Sequence, residues 1–119
     1  MAKWAFRGNR GHQKTTITSS TNETTIVTAY TDQNDKDIFT DVYGLIIANS
    51  SPTATEVVIK DDDTGTTRFI IAVPAGETRG FVLPKESAHQ QSLAGQPWTA
   101  TCADSVASIE ITALFVKNS

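Results

Sequence analysis

The sequence has a single cysteine, Cys102, and two histidines, His12 and His89. One thiol cannot close an internal disulfide or supply a multi-thiolate metal site, so Cys102 is read as a small core hydrophobe. No apolar stretch approaches the ~20 residues needed to span a bilayer. The opening Met1 to Arg10 also lacks the continuous apolar segment of a signal peptide, so the chain is expected to be made in the cytosol and to stay soluble, with no membrane partner. Helical periodicity is missing as well: no window of helical length repeats apolar residues at three and four.

Charge is distributed unevenly. Residues 1–22 hold Lys3, Arg7, Arg10 and Lys14 and no acid, giving +4, whereas residues 23–119 hold six basic and thirteen acidic residues, giving −7. The expected organisation is a basic arm, 1–22, followed by one folded domain, 23–119. Four dispersed cations are a weak footprint for nucleic acid. Because Trp4 and Phe6 would otherwise sit in water, the arm is expected to lie along a partner, with Trp4, Phe6, Arg7, Arg10 and Lys14 as the contact residues.

What is present instead is period-two alternation broken by turn residues. Strands are expected at Thr15 to Ser19, Thr24 to Tyr30, Phe39 to Ala48, Thr55 to Asp61, Thr67 to Val73, Arg79 to Leu83, Trp98 to Cys102 and around Ile109 to Phe115. In the second of these, Ile26, Thr28 and Tyr30 alternate with Val27 and Ala29. In the third, Tyr43, Leu45 and Ile47 oppose Val42, Ile46 and Ala48. Asp62, Asp63, Thr64 and Gly65 form a hairpin turn, and Lys85 to Gln96 is a long loop with room for one helical turn. About eight strands in some hundred residues predict an all-β fold: a two-sheet antiparallel sandwich, jelly-roll-like.

Catalytic and metal chemistry find little support in the residues. Neither His12 nor His89 accompanies a nucleophile motif, and His89, beside Gln90 and Gln91, is read as an exposed loop residue. Cys102 and the histidines share no zinc spacing. Asp32, Asn34, Asp35 and Asp37 resemble a calcium loop superficially, but Asp37 stands where glycine is needed and no glutamate follows at the twelfth position. Asp61, Asp62 and Asp63 are consecutive, so alternation scatters their carboxylates, and they are read as a solvated turn. Trp98 is in phase with Ala100 and Cys102, which places the indole at the core edge rather than on a sugar-stacking surface. The expectation is a protein that binds or builds, with no cofactor and no catalytic residues.

The succession Tyr43 to Ser51, Val57 to Asp61, Val73 to Thr78, Gly95 to Ala100 and Ile109 to Lys117 resembles small β-sandwich virion proteins of tailed bacteriophages, among them head decoration or cement proteins. It covers about residues 38–118, and its motifs are compositional and turn-based. The resemblance implies a structural protein on the surface of a phage particle that bridges major capsid subunits. A homotrimer is the matching symmetry, formed through one partly apolar sheet face with Val42, Ile46, Val58 or Leu114, while the arm anchors to the shell. The alternatives it leaves are a tail or fibre component and a glycan-binding module for host attachment.

Overall fold

A computed structural model describes residues 9–18, 23–62, 65 and 67–118. Eight strands run in the order β1 (Arg10–Ile17), β2 (Thr24–Val27), β3 (Phe39–Asn49), β4 (Thr55–Lys60), β5 (Thr67–Val73), β6 (Thr78–Val82), β7 (Trp98–Cys102) and β8 (Ile109–Asn118), with one 3-10 turn at Lys85–Ser87. They form two four-stranded antiparallel sheets, β1-β8-β3-β6 and β2-β7-β4-β5. The pairs β1 with β8, β2 with β7, β3 with β6 and β4 with β5 are those of one long antiparallel ribbon. Rolling that ribbon up joins β3 to β8 and β4 to β7. The result is the jelly-roll strand order, an all-β sandwich of eight strands.

Alternation fills the space between the sheets. Ile109, Ile111, Ala113 and Phe115 of β8 are buried and face Val57, Ile59, Trp98, Ala100 and Cys102 from the other sheet. Trp98 is fully buried, and its Nε1 donates to the Thr40 carbonyl oxygen at 2.6 Å, so both its apolar area and its one donor are satisfied. Cys102 is buried, and burial pushes its thiol pKa up.

Three local features depart from the expected alternation. In β3 the register shifts between Val42 and Gly44, leaving Tyr43 as the extra residue of a β-bulge. Val42 therefore points the same way as Leu45 and Ile47, into the core, and is fully buried. In β2 a shift between Thr25 and Val27 buries Ile26 and Val27 alike. In β6, Gly80 adopts φ 151° and lies so close to β3 that an added Cβ would stand 1.9 Å from the Leu45 carbonyl oxygen. Only glycine fits there.

The first strand also begins earlier than the alternation indicates. Arg10–Ile17 pairs with Val116 to Ile109 along its whole length, and the ladder continues through Asn9, whose carbonyl accepts from the Lys117 N–H at 2.7 Å. Arg10 and Lys14 thus belong to the sandwich rather than to an arm that precedes it, and the expected boundary at residue 22 does not mark its start. The alternation of Arg10, His12, Lys14 and Thr16 with Gly11, Gln13, Thr15 and Ile17 is period-two, but its inward positions are small or polar until Ile17 and give no apolar signal.

Candidate interaction surfaces

A buried polar strap closes one end of the sandwich. Gln91, in the long loop before β7, is buried; its Oε1 accepts from the Thr40 N–H at 2.9 Å and from Thr40 Oγ1 at 3.2 Å. Its Nε2 donates to the carbonyls of Asp61 and Gln96, and its backbone N–H donates to Asp41 Oδ1. One side chain therefore ties β3 to the end of β4. Asp61 is fully buried: its Oδ2 accepts from Arg68 Nη1 and from the Ser92 N–H, both at 2.8 Å. Oδ1 has no hydrogen-bond partner among the described residues. The turn expected to be solvated is thus anchored inward at Asp61 and Asp62, both buried, while Asp63 lies outside the described residues. Among the described residues no group of three or more His, Cys, Asp or Glu side chains stands close enough to hold a metal ion.

His89 is half-buried rather than exposed. It bridges Val42 in both directions, with His89 N–H to the Val42 carbonyl at 2.8 Å and Val42 N–H to the His89 carbonyl at 3.2 Å. Its ring stands edge-on to Phe69 and Phe81, with centroids 4.6 Å and 5.5 Å away. Burial between these rings, and secondarily the Arg68 charge, lowers its pKa. Loop polarity hid this position, because Gln91, two residues on, is turned into the strap rather than to water. The Asp32 loop is likewise structural: Asp32 Oδ1 accepts from the Asn34 and Lys36 N–H groups at 2.7 Å and 3.0 Å.

The outer face of the β1-β8-β3-β6 sheet is mixed in character. The registers align His12, Leu114, Gly44 and Val82 in one row and Lys14, Thr112, Ile46 and Gly80 in the next. Leu114 lies over Gly44, where a Cβ would meet its Cδ1 at 2.9 Å. Ile46, on the inner strand β3, and Val82, on the edge strand β6, are 39% and 60% exposed and put apolar surface on this face. Arg10, His12 and Lys14 flank them on β1, and Lys14 pairs with Glu110 at 2.9 Å on the same face.

Of the four residues expected to share an apolar interface, the structure brings together two. Ile46 and Leu114 lie on this face, Val58 lies on the outer face of the opposite sheet beside Ile70, and Val42 is in the core because of the bulge at Tyr43. Alternation alone does not show the phase shift; the local signal for it is Gly44, an isolated glycine inside the strand pattern beside the bulged residue. Trp4, Phe6 and Arg7 lie outside the described residues.

A groove opens on the opposite side, where β5 and β6 are the edges of the two sheets. Its volume is about 510 Å³, and Ala54, Glu56, Ala72, Val73, Arg79 and Asp104 are among the residues lining it. Arg79 pairs with Glu77 at the rim.

No protein-family model matches the chain, and no curated protein sequence does. Among solved structures it is similar to a chain in the cryo-EM structure of the giant freshwater prawn Macrobrachium rosenbergii extra small virus virus-like particle. That match has a TM-score of 0.36 and 14% identity over 92% of this chain and 80% of that one. At that identity and score the likeness bears on neither role nor partner.

Proposed function

We propose that this chain is a non-enzymatic structural protein of a virion, a capsid decoration protein that acts as a homotrimer and bridges major capsid subunits of a phage head. The observation that carries this reading is the outer face of the β1-β8-β3-β6 sheet: Ile46, Val82 and Leu114 form an apolar centre, and Arg10, His12 and Lys14 line one side. An apolar core with a charged rim is the anatomy of a protein-binding patch. Two further points support the reading. The sequence from Tyr43 to Lys117 resembles small β-sandwich virion proteins of tailed bacteriophages, cement proteins among them, and the eight-stranded jelly roll recurs in viral capsid domains.

Two observations on the described residues weigh against rival readings. Trp98 is buried, and Tyr30 packs on Phe115 at 5.6 Å, so neither ring is presented for sugar stacking. The buried carboxylates Asp41 and Asp61 are engaged in holding the strap.

Co-sedimentation of the purified protein with undecorated shells tests the proposal. Ile46→Asp and Leu114→Asp each place a charge in the apolar centre and are expected to weaken attachment about tenfold or more, equivalent to ~1.4 kcal/mol or above. Their melting temperatures should stay close to that of the parent. Undiminished attachment of the double variant would remove this face from the interface.

A further inference from the structure

The four edge strands of the two sheets are not equally protected against pairing. β1 carries Arg10, His12 and Lys14; β2 has four residues and a register shift; β6 carries Arg79 and the glycine at φ 151°. Each of these is a recognised way to blunt an edge. β5 has such features only at its start, where Arg68 falls at the register shift against β4. From Phe69 to Val73 it is an unbroken apolar run without charge or proline, and Ile70 is 59% exposed. At the Val73 end of this edge lies the groove, with apolar walls at Ala72 and Val73 and two carboxylates, Glu56 and Asp104, that form no ion pair among the described residues.

We infer that residues 1–8 of a second copy of this chain occupy this edge and groove, added as an extra strand beside β5. The segment Met-Ala-Lys-Trp-Ala-Phe-Arg-Gly alternates: Ala2, Trp4 and Phe6 share one side, and Lys3 and Arg7 share the other. It therefore offers two aromatic anchors to an apolar groove and two cations to the unpaired carboxylates. Backbone pairing along β5 supplies affinity and the groove supplies selectivity.

Chain length assigns the segment to a second copy. The first strand starts beside Val116 and Lys117, at one end of the sandwich. The groove is at the other end: Asn49, level with Ile109 and so with Ile17, donates through Nδ2 to the Val73 and Pro74 carbonyls. Seven residue steps separate the levels of Arg10 and Ile17, ~23 Å at ~3.3 Å per residue, and the ~10 Å sheet spacing, taken at right angles to three strand spacings of ~4.8 Å, makes the sideways offset ~17 Å. The straight line through the body is thus ~29 Å, whereas eight extended residues reach at most ~26–29 Å with nothing left to lie along the groove. A neighbouring copy has no such restriction. Because the contact joins two different surfaces, it repeats head to tail, and with a three-fold rotation between copies it closes into the proposed trimer.

The inference rests on the proposed function only in that copies stand together, and its test needs no shell. Two full-length variants are compared with the parent by sedimentation velocity: Trp4→Ala/Phe6→Ala, which removes the anchors, and Ala72→Lys, which fills the groove and sits opposite Glu56 in the β4–β5 register. The parent is expected to be trimeric and each variant monomeric, with unchanged circular dichroism. Mixed together, the two variants should form a heterodimer, because one still has a groove and the other still has an arm. A monomeric parent at every concentration, or a trimer that survives either variant, would overturn the inference. Shell attachment, measured separately, can fail or succeed independently of all three results.

Discussion

The two long sides of the sandwich are finished differently. On the β1/β2 side, aliphatic residues Ile17, Ile26 and Val27 fill the space, and side chains lace the sheets together: Gln13 Oε1 accepts from the Thr28 N–H at 2.9 Å and from its hydroxyl at 3.1 Å. On the β5/β6 side, an aromatic cluster of Phe69, Phe81 and His89 closes one end, and the other end opens into the groove beneath Arg79. A side that packs against itself needs no partner. On the proposal above, a side that keeps an apolar edge and an open groove is where a second copy docks.

The largest effect is expected at the closed end of the β5/β6 side. Arg68→Ala leaves the fully buried Asp61 carboxylate without its ion-pair partner, and losing half of a buried pair costs about 3 kcal/mol or more. Urea denaturation should show that loss, and a change below about 1 kcal/mol would mean that the strap is not anchored through this pair. A smaller effect belongs to the laced side: Gln13→Ala removes two hydrogen bonds at an exposed position and should cost about 0.5–1.5 kcal/mol. If the order of these two variants were reversed, the contrast between the sides would be wrong.

The smallest effect is one of pH. Burial against Phe69 and Phe81, with Arg68 nearby, lowers the folded-state pKa of His89 below its ordinary value of 6.5. The unfolded chain therefore takes up the proton more readily than the fold does. His89 contributes its full stability above pH 6.5, and that contribution is lost as pH falls through 6.5 towards the folded-state pKa. Melting temperatures measured across this window should fall with pH in the parent and less steeply in His89→Gln.

Most of the architecture was legible in the residues because the strong signals were periodic. Val57 with Ile59, Phe69 with Ile71, and Ile109 to Phe115 announced their strands, and their inward faces are the core. Trp98 was placed correctly by its phase with Ala100 and Cys102. The misreadings share one physical cause: each depends on a contact distant in sequence. The core position of Val42 needs the bulge against β8, and the half-burial of His89 needs its bridge to β3. Burial of Asp61 needs Gln91 and Ser92, thirty or so positions away. Of the candidate interface, the apolar character of Ile46 and Leu114 was visible, but that Val58 faces away from them could be seen only once the sheets were paired. The groove was not visible at all, because its walls come from β4, β5, β6 and the turn after β7.

The central claim is that this sandwich acts through its surfaces, as part of a particle. Electron cryomicroscopy of particles carrying the chain tests it most directly. The account predicts density for this fold between capsomers on the head, with the Ile46 and Leu114 face turned to the shell. Density on the tail, or none on any particle, would contradict it.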